Sequence, residues 1–404
     1  MNPDPPHRPP SFPAAPAPMS PSAPPAWTPP SETEGLLHEA ALRGDAEAQI
    51  RALAGAELYI PVPRAEADAE PDVIWWRPHL DPAGRSCKPV LTRGMLPPWH
   101  PDMVFHGVSL KWIAEFNWTD PHQLLGVNVG TPAQLLLPST PAHRAFWLRC
   151  YAEDDTPSGG RLLAIRHGAL HGPLAYGLAC GVHLAVGNGV PWNEVGSVCR
   201  EYHKERAALR DSWSVTDHPT WRLQLDALLD ARNSPPAPDF ALHVREDLRR
   251  GLGGDLPSAE LWRETAAGHL HDRGADHDTI KSMEALVRRI LRYEARFRAD
   301  GLLPPDGWVS TTVGYDYGRA VNLARWGLSA RYCAPAEAEQ AIVYAGALTK
   351  SAYDSWESFS AGYALGRVLR FDQEEYGAFY EQNVTAHRLL TEHEGSPWRH
   401  IPWR

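Results

Sequence analysis

The sequence predicts an α+β protein: a small N-terminal α+β domain built on one mixed sheet, then a mainly α-helical C-terminal domain, preceded by a proline-rich tail. Three observations predict it. Between residues 57 and 138, short β-branched or aromatic runs alternate with Pro, Gly and Asp. From about residue 165 onward, apolar residues recur at helical spacing. Residues 1–31 hold 13 of the 39 prolines, with Ala and Ser filling half of the rest.

That first stretch buries too little apolar surface to offset its ordering entropy, so residues 1–31 read as a disordered tail. Its composition would also suit a proline-binding groove on another protein. Helical spacing begins with Leu36, Leu37, Ala40 and Ala41, breaks at Gly44-Asp45, and resumes with Ile50 and Leu53. LLHEAALRGD echoes one ankyrin unit, but no second copy follows at the required period, so a solenoid is rejected. Five strands follow: 57–63, 72–76, 88–92, 124–130 and 133–138. They complete a domain over residues 32–150. The acidic, glycine-containing segment 151–164 reads as a linker, and residues 165–404 as the helical domain.

In the helical part, Gly177, Gly181 and Ala185 at i, i+4 and i+8 would let a neighbouring backbone approach closely. Gly187, Gly189 and Pro191 end that helix. Residues 231–260, rich in Pro, Gly and Asp, read as partly loop. Met283, Leu286, Val287, Ile290 and Leu291 mark a helix with an Arg-rich outer face. Three consecutive helices are expected over residues 314–369. In the first, Asp316, Arg319, Leu323 and Trp326 share one face and Gly327 is read as its end. Pro335 opens the second. Asp354 and Glu357 resemble a capping box for the third, on which Trp356, Phe359, Tyr363 and Arg367 share a face. Trp398 and Trp403 are available to dock the terminus.

Bulk composition narrows the function. Hydrophobic residues make up 43% of 404, enough for two buried cores, and the net charge is −10. An acidic balance argues against a whole-chain nucleic-acid binder and against an anionic membrane surface as partner. The most apolar helix, 174–190, is interrupted by His183 and glycines, so no membrane span is expected. The five cysteines are odd in number and widely spaced, without a CxxC pair. A reducing cytoplasmic setting fits them, and a cysteine-built zinc site does not.

Two family resemblances rest on particular residues. The Leu37-x-x-Ala40-Ala41 helix, LYIPVP (58–63), PVLT (89–92) and VNVGTP (127–132) together resemble the N-terminal domain of the SseB protein family. The chain departs from it at Asn128-Val129-Gly130, where the family usually has Asn-Pro-Gly, and in the insertion 63–71. That resemblance implies a regulatory or secretion-associated role. GYDYGRAVNLARWG (314–327), SWESF (355–359), Gly366-Arg367 and Ser396-Pro397-Trp398, with VPWN (190–193) and SWSV (212–215), resemble the bacterial domain of unknown function 1266 over about residues 165–404. Here the departures are Tyr315-Asp316 for Trp-Asp, and Cys333-Ala334-Pro335 for an acidic-capped helix. That resemblance implies no reaction.

The candidate cluster is Asp316, Arg319, Trp326, Trp356, Glu357 and Arg367. As a site, an arginine would bind a carboxylate or phosphate while Asp316 or Glu357 acts as acid or base. As a lock, Asp316 and Arg319 form a buried pair under the tryptophans; i, i+3 pairs are common and no nucleophile stands beside them. His269, His271, Asp272 and His277, with Asp276 and Asp278, have zinc- or manganese-binding chemistry, and His167 and His171 have a metal-compatible spacing. Gly274 and the absence of HExxH favour a solvated acidic loop instead. No GxxxxGK[ST] or GxSxG motif is present, and no cofactor is expected. The surplus of aromatic residues without a catalytic set points to a non-catalytic, regulatory protein with a protein partner. The alternative is a hydrolase-like enzyme using the Asp316 cluster, with or without a metal.

Overall fold

A computed structural model describes residues 27–71, 73–118, 123–154, 159–196 and 201–403. The expected disordered tail falls outside these residues up to position 26, as do Asp72 and Cys199. From Trp27 the chain is packed: the Trp27 ring sits edge-on to His38, and the Pro30 carbonyl accepts the Arg166 N–H.

The N-terminal region runs α1 (Glu32–Arg43), α2 (Ala46–Ala54), β1 (Leu58–Pro63), α3 (Arg64–Ala69), β2 (His79–Leu80), β3 (Ser86–Thr92), β4 (Met103–Val108), α4 (Leu110–Glu115), β5 (Leu124–Val127), β6 (Leu135–Pro138) and α5 (Pro141–Ala152). The strands form one mixed six-stranded sheet in the order β4-β1-β3-β5-β6, with β2 added to β3. Only β3 and β5 pair in parallel. Leu58, Ile60 and Val62 of β1 alternate into a core shared with Leu37, Leu53, Ile113 and Trp147.

One expected strand is absent, and two unexpected strands, the two-residue β2 and the longer β4, are present. Val73–Trp76 joins no ladder. Instead Trp76 folds inward, its indole N–H donating to the Pro89 carbonyl while its own carbonyl accepts the buried Lys88 ammonium. β4 interrupts its apolar run with His106 and Gly107, which hid it as a strand, yet it pairs with β1 along six residues. It is an edge strand, and the helical region packs beside it.

The C-terminal region is mainly helical: α6 (Gly172–Cys180), α7 (Val182–Asn188), α8 (Tyr202–Trp213), α9 (His218–Leu229), α10 (Ala237–Gly251), α11 (Ala259–Asp272), α12 (His277–Asp300), α13 (Gly314–Ser329), α14 (Pro335–Ala352), α15 (Trp356–Phe371), α16 (Ala378–Glu392) and α17 (Pro397–His400). α13 is the axis, buried along nearly its whole length among α6, α7, α9, α14 and α15. Gly327 does not end it; the helix runs on to Ser329. A Cβ at Gly327 would lie 2.1 Å from Nε1 of Trp221, so the glycine serves helix packing. The expected close approach at Gly177 is present, with a Cβ there meeting the Ile342 carbonyl oxygen at 2.3 Å. Residues 231–260 are loop in part, as expected; between the loops lies α10, whose Ala241, Leu242, Val244 and Arg245 are buried. Ser355, not Asp354, caps α15, and the reciprocal partner is Ser358 rather than Glu357. No helix among the described residues is long and apolar enough to cross a membrane.

Candidate metal centre

Of the residues expected to form a cluster on α13 and α15, Asp316 and Arg319 meet, and the others lie in surroundings of their own. Asp316 accepts from the Ser234 N–H at 3.0 Å and the Ser234 hydroxyl at 2.6 Å. Arg319 bonds Asp316, and its guanidinium also donates to Asn233 Oδ1 at 3.0 Å and lies 4.0 Å from the Tyr315 ring centroid. Both side chains are buried with their charges answered. Trp326 faces Trp213, with ring centroids 6.1 Å apart. Trp356 stacks on Trp398 at 5.4 Å and donates its indole N–H to the Ile401 carbonyl. Arg367 donates to Gln382, and Glu357 is exposed at the edge of a different cleft.

His269, His271 and Asp272 lie exposed in the last turns of α11, and His277 is exposed at the start of α12. His167 and His171 are exposed too. None of these histidines joins a set of three ligating side chains among the described residues.

One such set does form, from residues that sequence spacing could not connect. His106 comes from edge strand β4, and Glu201 and His203 flank the first residue of α8. Their ligating atoms all lie within 4.8 Å of one another. The fold builds the set in two steps. Tyr202 inserts between its neighbours into the sheet core, 1% exposed, and its hydroxyl donates to Asp68 at 2.8 Å. Glu201 then turns back as the N-cap, accepting the N–H groups of His203 at 2.7 Å and Lys204 at 3.3 Å. This places its Oε1 3.3 Å from His106 Nδ1.

That contact assigns the His106 tautomer. With Nδ1–H given to the carboxylate, Nε2 carries a free lone pair, the arrangement in which a carboxylate orients a metal-binding imidazole. His106 is 2% exposed, and its Nε2 has no partner; neither does the buried Nε2 of His203. The two rings stack at 5.6 Å. Burial pushes the Glu201 carboxyl up, but the bonds from His106 and the His203 N–H outweigh it and hold it below the usual range. Burial lowers the His203 imidazole, keeping it neutral and available as a donor.

Two buried ring nitrogens without partners would cost about 1–3 kcal/mol each if nothing met them. Two imidazoles and a carboxylate suit a divalent transition metal. Beside the set opens a cleft of about 750 Å³, floored by Gly107 and walled by Ile74, Trp112 and Tyr151.

No curated protein and no solved structure matches the chain. The comparisons give no support to the SseB resemblance of residues 32–150. The other resemblance is supported over a shorter span than residues 165–404, and His106, Glu201 and His203 all precede that span while Asp316 and Arg319 fall within it. Residues 208–403 match the family described as "Protein of unknown function (DUF1266)".

Proposed function

We propose that this is a metal-binding protein whose divalent ion is held by Nε2 of His106 and Nε2 of His203, with Glu201 orienting the His106 ring, where the sheet meets the helical region. The observation that carries this reading is the grouping of His106, Glu201 and His203, their ligating atoms within 4.8 Å of one another, with the Nε2 atoms of both histidines buried and unpartnered. A structural zinc site closes its shell with four protein ligands; two imidazoles beside a cleft leave positions for water or a small ligand. Such an ion acts as a Lewis acid on a bound oxygen or lowers the pKa of bound water. The reading favours a metal-assisted role centred here over one centred on Asp316. Four buried free thiols support a reducing, cytoplasmic setting.

The test is metal content of the purified full chain, followed by titration with Zn²⁺, Co²⁺ and Mn²⁺. One ion per chain is expected, lost in His106→Ala and in His203→Ala while the far-ultraviolet spectrum stays unchanged. Stoichiometric metal that survives both substitutions would place the ion elsewhere.

A second reading, a regulatory protein with a protein partner, is favoured by one surface feature. Phe371 and Phe379 are each 42% exposed with centroids 5.4 Å apart, and Arg370 and Arg367 lie over them. Exposed aromatics bracketed by arginines have the composition of an interface anchor. Capture of a partner from the native host by the wild-type chain, lost with Phe371→Ser and Phe379→Ser, would support it; equal capture by both would not.

A further inference from the structure

We propose that the cleft between the 302–310 loop and the head of α15 binds the chain's own proline-rich segment, residues 8–16, with Arg8 set against Asp354 and Glu357. The proposal is independent of the metal reading.

The cleft encloses about 460 Å³, within the range that ligands fill. Leu302, Pro304 and the half-buried Trp308 ring give it an apolar wall. Among the described residues, the charged ones that line it are Asp354 and Glu357, both acidic. The Asp354 carboxylate accepts only the Ser358 hydroxyl, and Glu357 makes no hydrogen bond or ion pair among the described residues. The positive end of α15 lies here too, and these two carboxylates already answer it. Arg249 lies over the Trp308 ring, but Glu246 holds it with two bonds. The Trp308 indole N–H and the Ser310 hydroxyl make no hydrogen bond among the described residues. A ligand that fits therefore offers an apolar body, acceptors without matching donors, and one cation.

The proline-rich segment has that composition. Proline brings a ring and a carbonyl but no N–H, and polyproline II leaves its carbonyls free of internal bonds. With His neutral, Arg8 is the one charged residue between positions 5 and 26. Every third residue of polyproline II falls on one edge, which aligns Pro10, Pro13 and Pro16. Aromatic-lined grooves take such edges because the segment loses little freedom on docking. Reach is ample. The described chain starts at Trp27, seated on His38, and 19 residues lead back to Arg8. At about 3.1 Å per residue they span roughly 60 Å, against a radius of gyration of roughly 21 Å for a chain of this length. Other surfaces suit Arg8 less well. The Phe371–Phe379 pair is bracketed by Arg367 and Arg370, and the cleft beside His106 carries Lys204.

The experiment titrates a fluorescein-labelled peptide of residues 5–18 with the full chain and follows anisotropy. A second full chain carries Arg8→Glu, Pro10→Ala and Pro13→Ala in its own tail. The peptide should bind this second chain about tenfold more tightly than the wild type, because an intact tethered tail competes at millimolar effective concentration. Adding Glu357→Lys, at an exposed position, should abolish that binding, as should Trp308→Ala. A peptide carrying the three tail substitutions should not bind. No binding to either chain, equal affinity for both, binding that survives Glu357→Lys, or equal binding of the altered peptide overturns the proposal. Association of the wild-type chain in sedimentation that rises with concentration and is lost with the altered tail would give the cleft to a second copy's tail, and would overturn the intrachain assignment.

Discussion

Ser234 and Asp316 are joined by two hydrogen bonds across 82 positions of sequence, from the serine N–H and from its hydroxyl. Arg319 closes the arrangement by bonding both Ser234 and Asp316. A buried ion pair whose every arm is answered ties the 233–236 turn to α13. Replacing Asp316 or Arg319 singly with Ala leaves a buried charge uncompensated, and each variant should lose about 3–5 kcal/mol in urea unfolding. The double variant should lose clearly less than the sum. Additive losses would mean the two side chains are not acting as a pair.

His183 and His387 share the hydroxyl of Ser360, at 2.9 and 2.8 Å. The proton order follows from the partners. His387 also bonds the Gly301 backbone, so its Nε2–H donates there and Nδ1 accepts from Ser360. His183 Nε2–H then donates to Ser360, leaving a buried, unpartnered Nδ1 in a ring stacked 4.4 Å from Tyr363. A further proton has nowhere to go. Burial, reinforced by the charge of His387 and Arg367, holds the His183 imidazole well below its usual value, and burial lowers His387 too. Groups lowered in the folded state give stability that is complete above the unfolded imidazole value of about 6.5 and is lost as pH falls below it. The melting temperature should therefore hold from pH 8 to 7 and fall from pH 6.5 to 5. The fall should be shallower in His183→Gln, and an identical slope in that variant would remove His183 from the explanation.

Two glycines on neighbouring helices should respond oppositely to a methyl group. Gly177 faces the Ile342 carbonyl, and the added Cβ would come within 2.3 Å. Gly177→Ala should destabilise the chain by about 1–3 kcal/mol through forced separation of α6 and α14. Gly187, in α7, has nothing within 4 Å of that position. Gly187→Ala should be neutral or stabilising by up to about 1 kcal/mol, because alanine loses less backbone freedom in a helix. Thermal unfolding of the two variants side by side checks both signs.

Legibility in the sequence followed the range of the interactions. β1, β3, β5 and β6 were readable because alternation and turn residues are local signals. Helices α13, α14 and α15 were readable for the same reason, as was the Asp316–Arg319 pair, which spans one turn; α16, between them and the terminus, was not. β4 was not, because His106 and Gly107 interrupt its apolar pattern; they stand there for what the strand faces rather than for strand propensity. Gly327 and Gly177 look alike in sequence, and only the neighbouring helix distinguishes a packing glycine from a helix stop. The metal donors were least legible. His106 and Glu201 are 95 positions apart, and Glu-Tyr-His at the head of a helix is unremarkable until Tyr202 is seen buried in the sheet core. The histidine-rich stretch near residue 271 had the better composition for a metal and the poorer geometry, since consecutive residues at a helix end point apart.

The position of the ion can be read from anomalous scattering by crystals grown with Zn²⁺ and measured across the zinc absorption edge. The account predicts one strong anomalous peak within bonding distance of Nε2 of both His106 and His203, with Glu201 alongside and the cleft on its open face. No peak there at saturating zinc, or a peak only among His269, His271 and His277, would contradict it.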